Sequence, residues 1–104
     1  MQWFTDFFGL SIRLTDERFA HLLEHPEMHG METRIAETLS RPSCVIQSVS
    51  DEQARLYYRY YLGTPVGDKF LCVVVKVIES DAFVVTAYLT DKPKRGVVLW
   101  PIER

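Results

Sequence analysis

A chain of 104 residues that is 47% hydrophobic and 25% charged has the balance of an ordinary globular protein, enough for one core and too short for two ordinary domains. This composition excludes intrinsic disorder, and no run of about 18 apolar residues is available to span a membrane as a helix. The formal net charge of −2 departs from the basic surplus usual in proteins that grip nucleic acid through its phosphates.

The charge is unevenly spread. Arg55, Arg59, Lys69, Lys76, Lys92, Lys94 and Arg95 all fall in the C-terminal half, whereas glutamates crowd the first half. That asymmetry points to a local basic face. Met1–Leu10 lacks a basic n-region and is interrupted by Asp6, so no secretory signal is expected and the expected location is the cytoplasm. Cys44 and Cys72 sit in apolar runs and are expected to be buried and reduced.

The expected organisation is one domain over 1–104: an N-terminal segment at 1–15, helices at 16–41 and an antiparallel sheet at 43–100. Leu10–Leu14 alternates as a short strand. Thr15 and Asp16 are N-cap types, and Phe19, Leu22 and Leu23 at i, i+3 and i+4 predict a helix over 16–25. Pro26 ends that helix and suits the first position of the next. Met31, Ile35 and Leu39 mark the second helix, which Pro42 stops.

Beyond Pro42 the period becomes that of strands. Expected strands are 44–49, a Tyr-rich strand at 55–62, a long strand at 70–78, its hairpin partner at 83–89, and a short last strand at 97–100. Ser50 and Gln53 could instead form a capping box opening a helix, but four tyrosines and a two-residue alternation follow and favour the strand. Gly63–Gly67 and Ser80-Asp81 are turns, and Asp91–Gly96 is a basic loop. The fold class is therefore α+β: two N-terminal helices packed on an antiparallel sheet of about four strands.

Side chains alternate across a strand, so parity sorts the faces. Leu71, Val73, Val75 and Val77 are expected to face the helices, as are Phe83, Val85, Ala87 and Leu89. Leu56 and Leu62 assign the even positions of the Tyr-rich strand to the core. The opposite face then carries Tyr57, Arg59, Tyr61, Lys76, Thr86 and Tyr88. Cations interleaved with aromatics suit phosphate contacts and base stacking, although a merely solvated sheet face would also be polar.

His21, His25 and His29, with Glu24 and Glu27 among them, form a second constellation. His21 and His25 share one side of the first helix and could serve as general acid or base, or could simply hydrogen-bond the helix end. No Cys or carboxylate completes a ligand pattern, so no metal and no other cofactor is expected.

The stretch Phe19-Ala20-His21-Leu22-Leu23-Glu24-His25-Pro26-Glu27, then Leu39–Pro42, Leu56-Tyr57-Tyr58-Arg59, Val73-Val74-Val75-Lys76 and Phe83-Val84-Val85-Thr86-Ala87-Tyr88 resembles a phage- and mobile-element-associated nuclease family related to barnase, EndoU, colicin and RelE-type ribonucleases. The resemblance runs from Ile12 to Trp100 and is carried best by HxxxHPE and FVVTAY. It implies two helices on a four-stranded antiparallel sheet and RNA cleavage without a metal, by the 2′-hydroxyl as internal nucleophile. On that basis His21 or His25 would act as base or acid, Arg59 and Lys76 would stabilise the developing charge, Thr86 and Tyr88 would position phosphate, and Tyr57, Tyr61 and Lys94 would bind substrate. Two other functions stay open: a non-catalytic module whose sheet face holds RNA or a protein partner, and an interaction protein whose edge strand pairs with another chain.

Overall fold

The computed structural model describes residues 1–101. Its elements in chain order are β1 (Gln2–Thr5), β2 (Ser11–Leu14), α1 (Asp16–Leu22), a 3₁₀ turn (Pro26–Met28), α2 (Glu32–Ser40), β3 (Cys44–Ser48), β4 (Ala54–Thr64), β5 (Gly67–Ile78), β6 (Asp81–Thr90) and β7 (Gly96–Trp100). The protein is α+β, with one sheet in the order β1-β2-β6-β5-β4-β3-β7. It has seven strands rather than about four, and it is mixed, because β2 runs parallel to β6. The detailed likeness to a four-stranded barnase-type sheet is therefore not met.

The helices follow their local signals. Thr15 caps α1 by accepting a hydrogen bond from Arg18 N at 3.2 Å. α1 ends at Leu22, three residues before the expected stop, because His25 takes an extended conformation ahead of Pro26. Gly30, with φ of +78°, separates the 3₁₀ turn from α2, so these are two elements and not one helix starting at Pro26. Leu22, Met28, Met31, Ile35 and Leu39 pack on Val45, Leu71, Val73, Val75, Ala82, Val84 and Ala87 of the sheet.

On the opposite face a smaller cluster joins Ile46, Leu56, Tyr58 and Cys72, flanked by Cys44, Phe70, Val74 and Tyr88. Two parity expectations are overturned here. In β4 the odd residues face the helices: Tyr57 is fully buried in the main core and Tyr61 packs against it. Leu56 belongs to the second cluster, and Leu62 lies 71% exposed near the hairpin end. In β6 a bulge intervenes: Val74 pairs Thr86 while Val75 pairs Val84, leaving Val85 as the extra residue. Ala82 and Val84 therefore face the helices before the bulge, and Ala87 and Leu89 after it. Phe83 faces away, under the Arg13 guanidinium.

The β1–β2 tip closes the structure. Asp6 is 5% exposed. Its Oδ1 accepts from Phe8 N at 2.9 Å and Leu10 N at 2.7 Å, and its Oδ2 accepts from the Tyr57 hydroxyl on β4. Phe7 N donates to Leu39 O at the end of α2, and the Phe7 ring lies 4.7 Å from Trp100 on β7. Elements at the two ends of the strand order thus meet, and the sheet bends around α2. At β7 the constraint is steric: a Cβ on Gly96 would stand 2.6 Å from Ile46 Cγ2 and also clash with the Gln47 carbonyl.

Two stability outcomes follow. Tyr57→Phe leaves the buried Asp6 carboxylate one donor short and should cost about 1–3 kcal/mol, a fall of about 4–8 °C in melting temperature per kcal/mol for a domain of this size. Gly96→Ala should cost about 1–3 kcal/mol through overpacking, read as a lower urea midpoint.

Candidate functional site

Arg59 does not share a face with Lys76, Thr86 and Tyr88. It lies on the helix side, where Nε sits 3.3 Å from Glu37 Oε1 of α2 and Nη1 donates to the Arg41 carbonyl at 2.6 Å. Tyr61 donates to the same Glu37 oxygen at 2.6 Å, and the Arg34 guanidinium stacks 4.7 Å from the Tyr61 ring. Burial and the bond to Glu37 push the Tyr61 phenol up to about 12. Tyr57 is engaged by Asp6, and burial raises its phenol above the ordinary range. The three odd-numbered β4 residues are thus parts of a helix–sheet contact.

The histidines stand on the helix layer and are exposed. His21 Nδ1 lies 3.4 Å from Glu24, and His25 Nδ1 lies 3.9 Å from Glu27. His29 Nε2 donates to the Leu23 carbonyl at 2.7 Å, a local bond that ties the 3₁₀ turn to the end of α1. The sheet extends two strands beyond β6, through β2 and β1, so a helix end cannot overhang the sheet at β6 to reach Thr86. Among the described residues no group of His, Cys, Asp and Glu gathers in a metal-ligating arrangement, and no helix is long and apolar enough to cross a membrane.

The face away from the helices does gather chemistry. A groove of about 450 Å³ is lined by Leu56 and Ala54 of β4, Val74 of β5, Thr86 and Tyr88 of β6, Ser48 of β3, the turn Val49–Asp51, and Lys94 and Arg95. This volume falls within the range of sites that hold small organic groups. Three of the expected residues, Thr86, Tyr88 and Lys94, line it. Lys76 stands at its rim, Nζ 3.3 Å from Asp51 Oδ2. Lys94 and Arg95 make no ion pair with any described residue, whereas Lys69 is paired with Asp91. The lining therefore combines an apolar floor, hydroxyls from Ser48, Ser50, Thr86 and Tyr88, the Asp51 carboxylate paired with Lys76, and two cations without an ion pair among the described residues.

Lys94 and Arg95 belong to the connection Asp91–Arg95, which crosses this face between β6 and β7. The Lys94 backbone N–H donates to Tyr58 Oη at 3.0 Å, and its ammonium lies 6.0 Å from the Tyr88 ring centroid. Beneath, Tyr58 and Cys72 are fully buried. Burial pushes the Tyr58 phenol up to about 12 and the Cys72 thiol to about 11. Cys72 matches expectation in its burial, whereas Cys44 is only half-buried; both are free thiols.

Ser48, Ser50, Leu56, Val74, Tyr58 and Arg95 carried no site signal of their own in sequence. The parity of Thr86 and Tyr88 and the basic composition of the loop marked the neighbourhood. No family model matches this chain, and neither does any curated protein or any solved structure.

Glu37 gives a pH outcome. The Tyr61 hydroxyl first, and then Arg59, hold its carboxyl below the ordinary value of 4.5. A depressed folded-state value adds stability above the unfolded value, and that stability is lost as pH falls through the folded one. Glu37→Gln should therefore be less stable than the wild type near neutral pH, and the difference should shrink as acid is added below about pH 4.5, as followed by melting temperature.

Proposed function

We propose that the protein is a non-catalytic binding module that holds single-stranded RNA on the sheet face opposite its helices. One observation carries this: the groove on that face presents Lys94 and Arg95 without carboxylate partners among the described residues, beside four hydroxyls and an apolar floor. A groove that is cationic on one side and apolar and aromatic along its base suits a backbone phosphate with a neighbouring base laid on the floor. Part of the negative charge sits on the helix layer, in the exposed carboxylates Asp16, Glu17, Glu24 and Glu37, and the carboxylate that lines the groove, Asp51, is paired with Lys76.

Cleavage through the 2′-hydroxyl needs a base, a cation and an acid within reach of one phosphodiester. Of the residues suited to those roles, His21, His25 and Arg59 are on the helix side and are each near a carboxylate. Lys76, Thr86 and Tyr88 are across the sheet from them. Binding is the function this arrangement supports better.

Fluorescence anisotropy with a labelled oligoribonucleotide tests it. The Lys94→Ala/Arg95→Ala double variant should bind more weakly, with a salt dependence flatter by about 0.7 for each phosphate no longer neutralised. His25→Ala and Arg59→Ala should bind RNA as the wild type does, and the RNA should stay intact throughout. Cleavage by the wild type that His25→Ala abolishes would restore a ribonuclease; an unchanged affinity in the double variant would remove the groove from consideration.

A further inference from the structure

β6 and β7 run in the same direction, since each intervening pair from β6 through β5, β4 and β3 to β7 is antiparallel. A connection between strands of like direction usually takes a dozen or more residues. Here it takes five, Asp91–Arg95, and it must cross three strands. The connection is a short strap, with bends at Asp91 and Lys92.

Little fastens this strap to the sheet. Lys69 pairs with Asp91 at its start, Thr90 Oγ1 makes a long contact to the Lys92 carbonyl at 3.4 Å, and in its middle the Lys94 N–H donates to Tyr58 Oη. Beneath that bond Cys72 and Tyr58 are fully buried, yet Tyr60 on the same face of β4 is 47% exposed. The strap lies over these two, and among the described residues the hydrogen bond from its backbone to this face is the one to the Tyr58 hydroxyl.

We propose that the strap is a latch. Tyr58 Oη is a positioning group that holds Lys94 and Arg95 over the groove and Cys72 out of solvent, and an anionic ligand seated in the groove locks the latch shut. The first half stands on the geometry alone. The second half rests on the RNA-binding function proposed above: a ligand that touches both the strap and Thr86 on the sheet binds the closed form only and so favours it.

The test reads the reactivity of Cys72 toward an aromatic disulfide reagent in a Cys44→Ser background, where Cys72 is the remaining thiol. Tyr58→Phe should speed labelling about two- to tenfold, the range that one hydrogen bond supports. Lys94→Ala keeps the N–H and should stay within about twofold of the parent. Equal labelling of Tyr58→Phe and the parent would overturn the latch. If Tyr58→Phe does not fold, hydrogen exchange in the parent protein decides it: the Lys94 amide should be protected relative to that of Lys92, and equal exchange would overturn the latch.

An oligoribonucleotide at about ten times its dissociation constant should slow labelling about tenfold. RNA that binds without slowing labelling would overturn the locking and leave RNA binding intact. RNA that does not bind at all would overturn both the RNA-binding function and the locking, while the Tyr58→Phe result still decides the latch.

Discussion

The bond between the buried Asp6 carboxylate and the Tyr57 hydroxyl organises the rest of the structure. A carboxylate 5% exposed is tolerable only when its oxygens are satisfied, and each of the donors available has a consequence. Phe8 N and Leu10 N shape the tip between β1 and β2, and Tyr57 ties that tip to the middle of the sheet. With the tip fixed, Phe7 reaches both the end of α2 and Trp100, and the sheet closes around the helix. The same bond commits Tyr57, and with it every odd residue of β4, to the helix side. What remains for the other face is decided by that commitment.

The two faces consequently do different work. At the join between α2 and β4 the helix side is tightly bonded: Arg59 and Tyr61 converge on Glu37, and Arg34 lies over Tyr61. Polar groups there serve the join between α2 and β4. Among the described residues the opposite side has no second layer, only a strap, and Lys94 and Arg95 beside the groove make no ion pair. Charges that a protein leaves uncompensated beside a groove are available to a ligand, whereas charges already in a network are not.

Much of the fold was legible in sequence because its signals were redundant. The apolar stripe of Phe19, Leu22 and Leu23, the i+4 repeat of Met31, Ile35 and Leu39, and the change of period at Pro42 each named an element that exists, with ends adjusted by Pro26 and Gly30. The uniform run Leu71, Val73, Val75 and Val77 identified its face correctly. The Tyr-rich strand did not, because every side chain from Leu56 to Leu62 is apolar or amphipathic and alternation carries no contrast there; Leu62 misled because a leucine near a hairpin end lies in water. β1 escaped notice because four residues rich in exposed side chains carry no period. The groove was half visible. Thr86, Tyr88 and Lys94 were singled out, but the partners that complete the groove come from a turn and a strap whose placement depends on strand order, a property of the whole sheet and not of any segment.

The bulge at Val85 has a consequence for insertions and deletions. Before it, Ala82 and Val84 point to the helices; after it, Thr86 and Tyr88 point into the groove. Were β6 to keep all its residues but pair without the bulge, with Thr86 and Tyr88 held in register, Ala82 and Val84 would turn outward and Phe83 would be driven into space now filled by Val84, whereas losing Val85 itself would leave both faces as they are. Val85 is therefore the place where β6 can lose a residue and keep both its faces, and a one-residue gap elsewhere in the strand would have to be absorbed there.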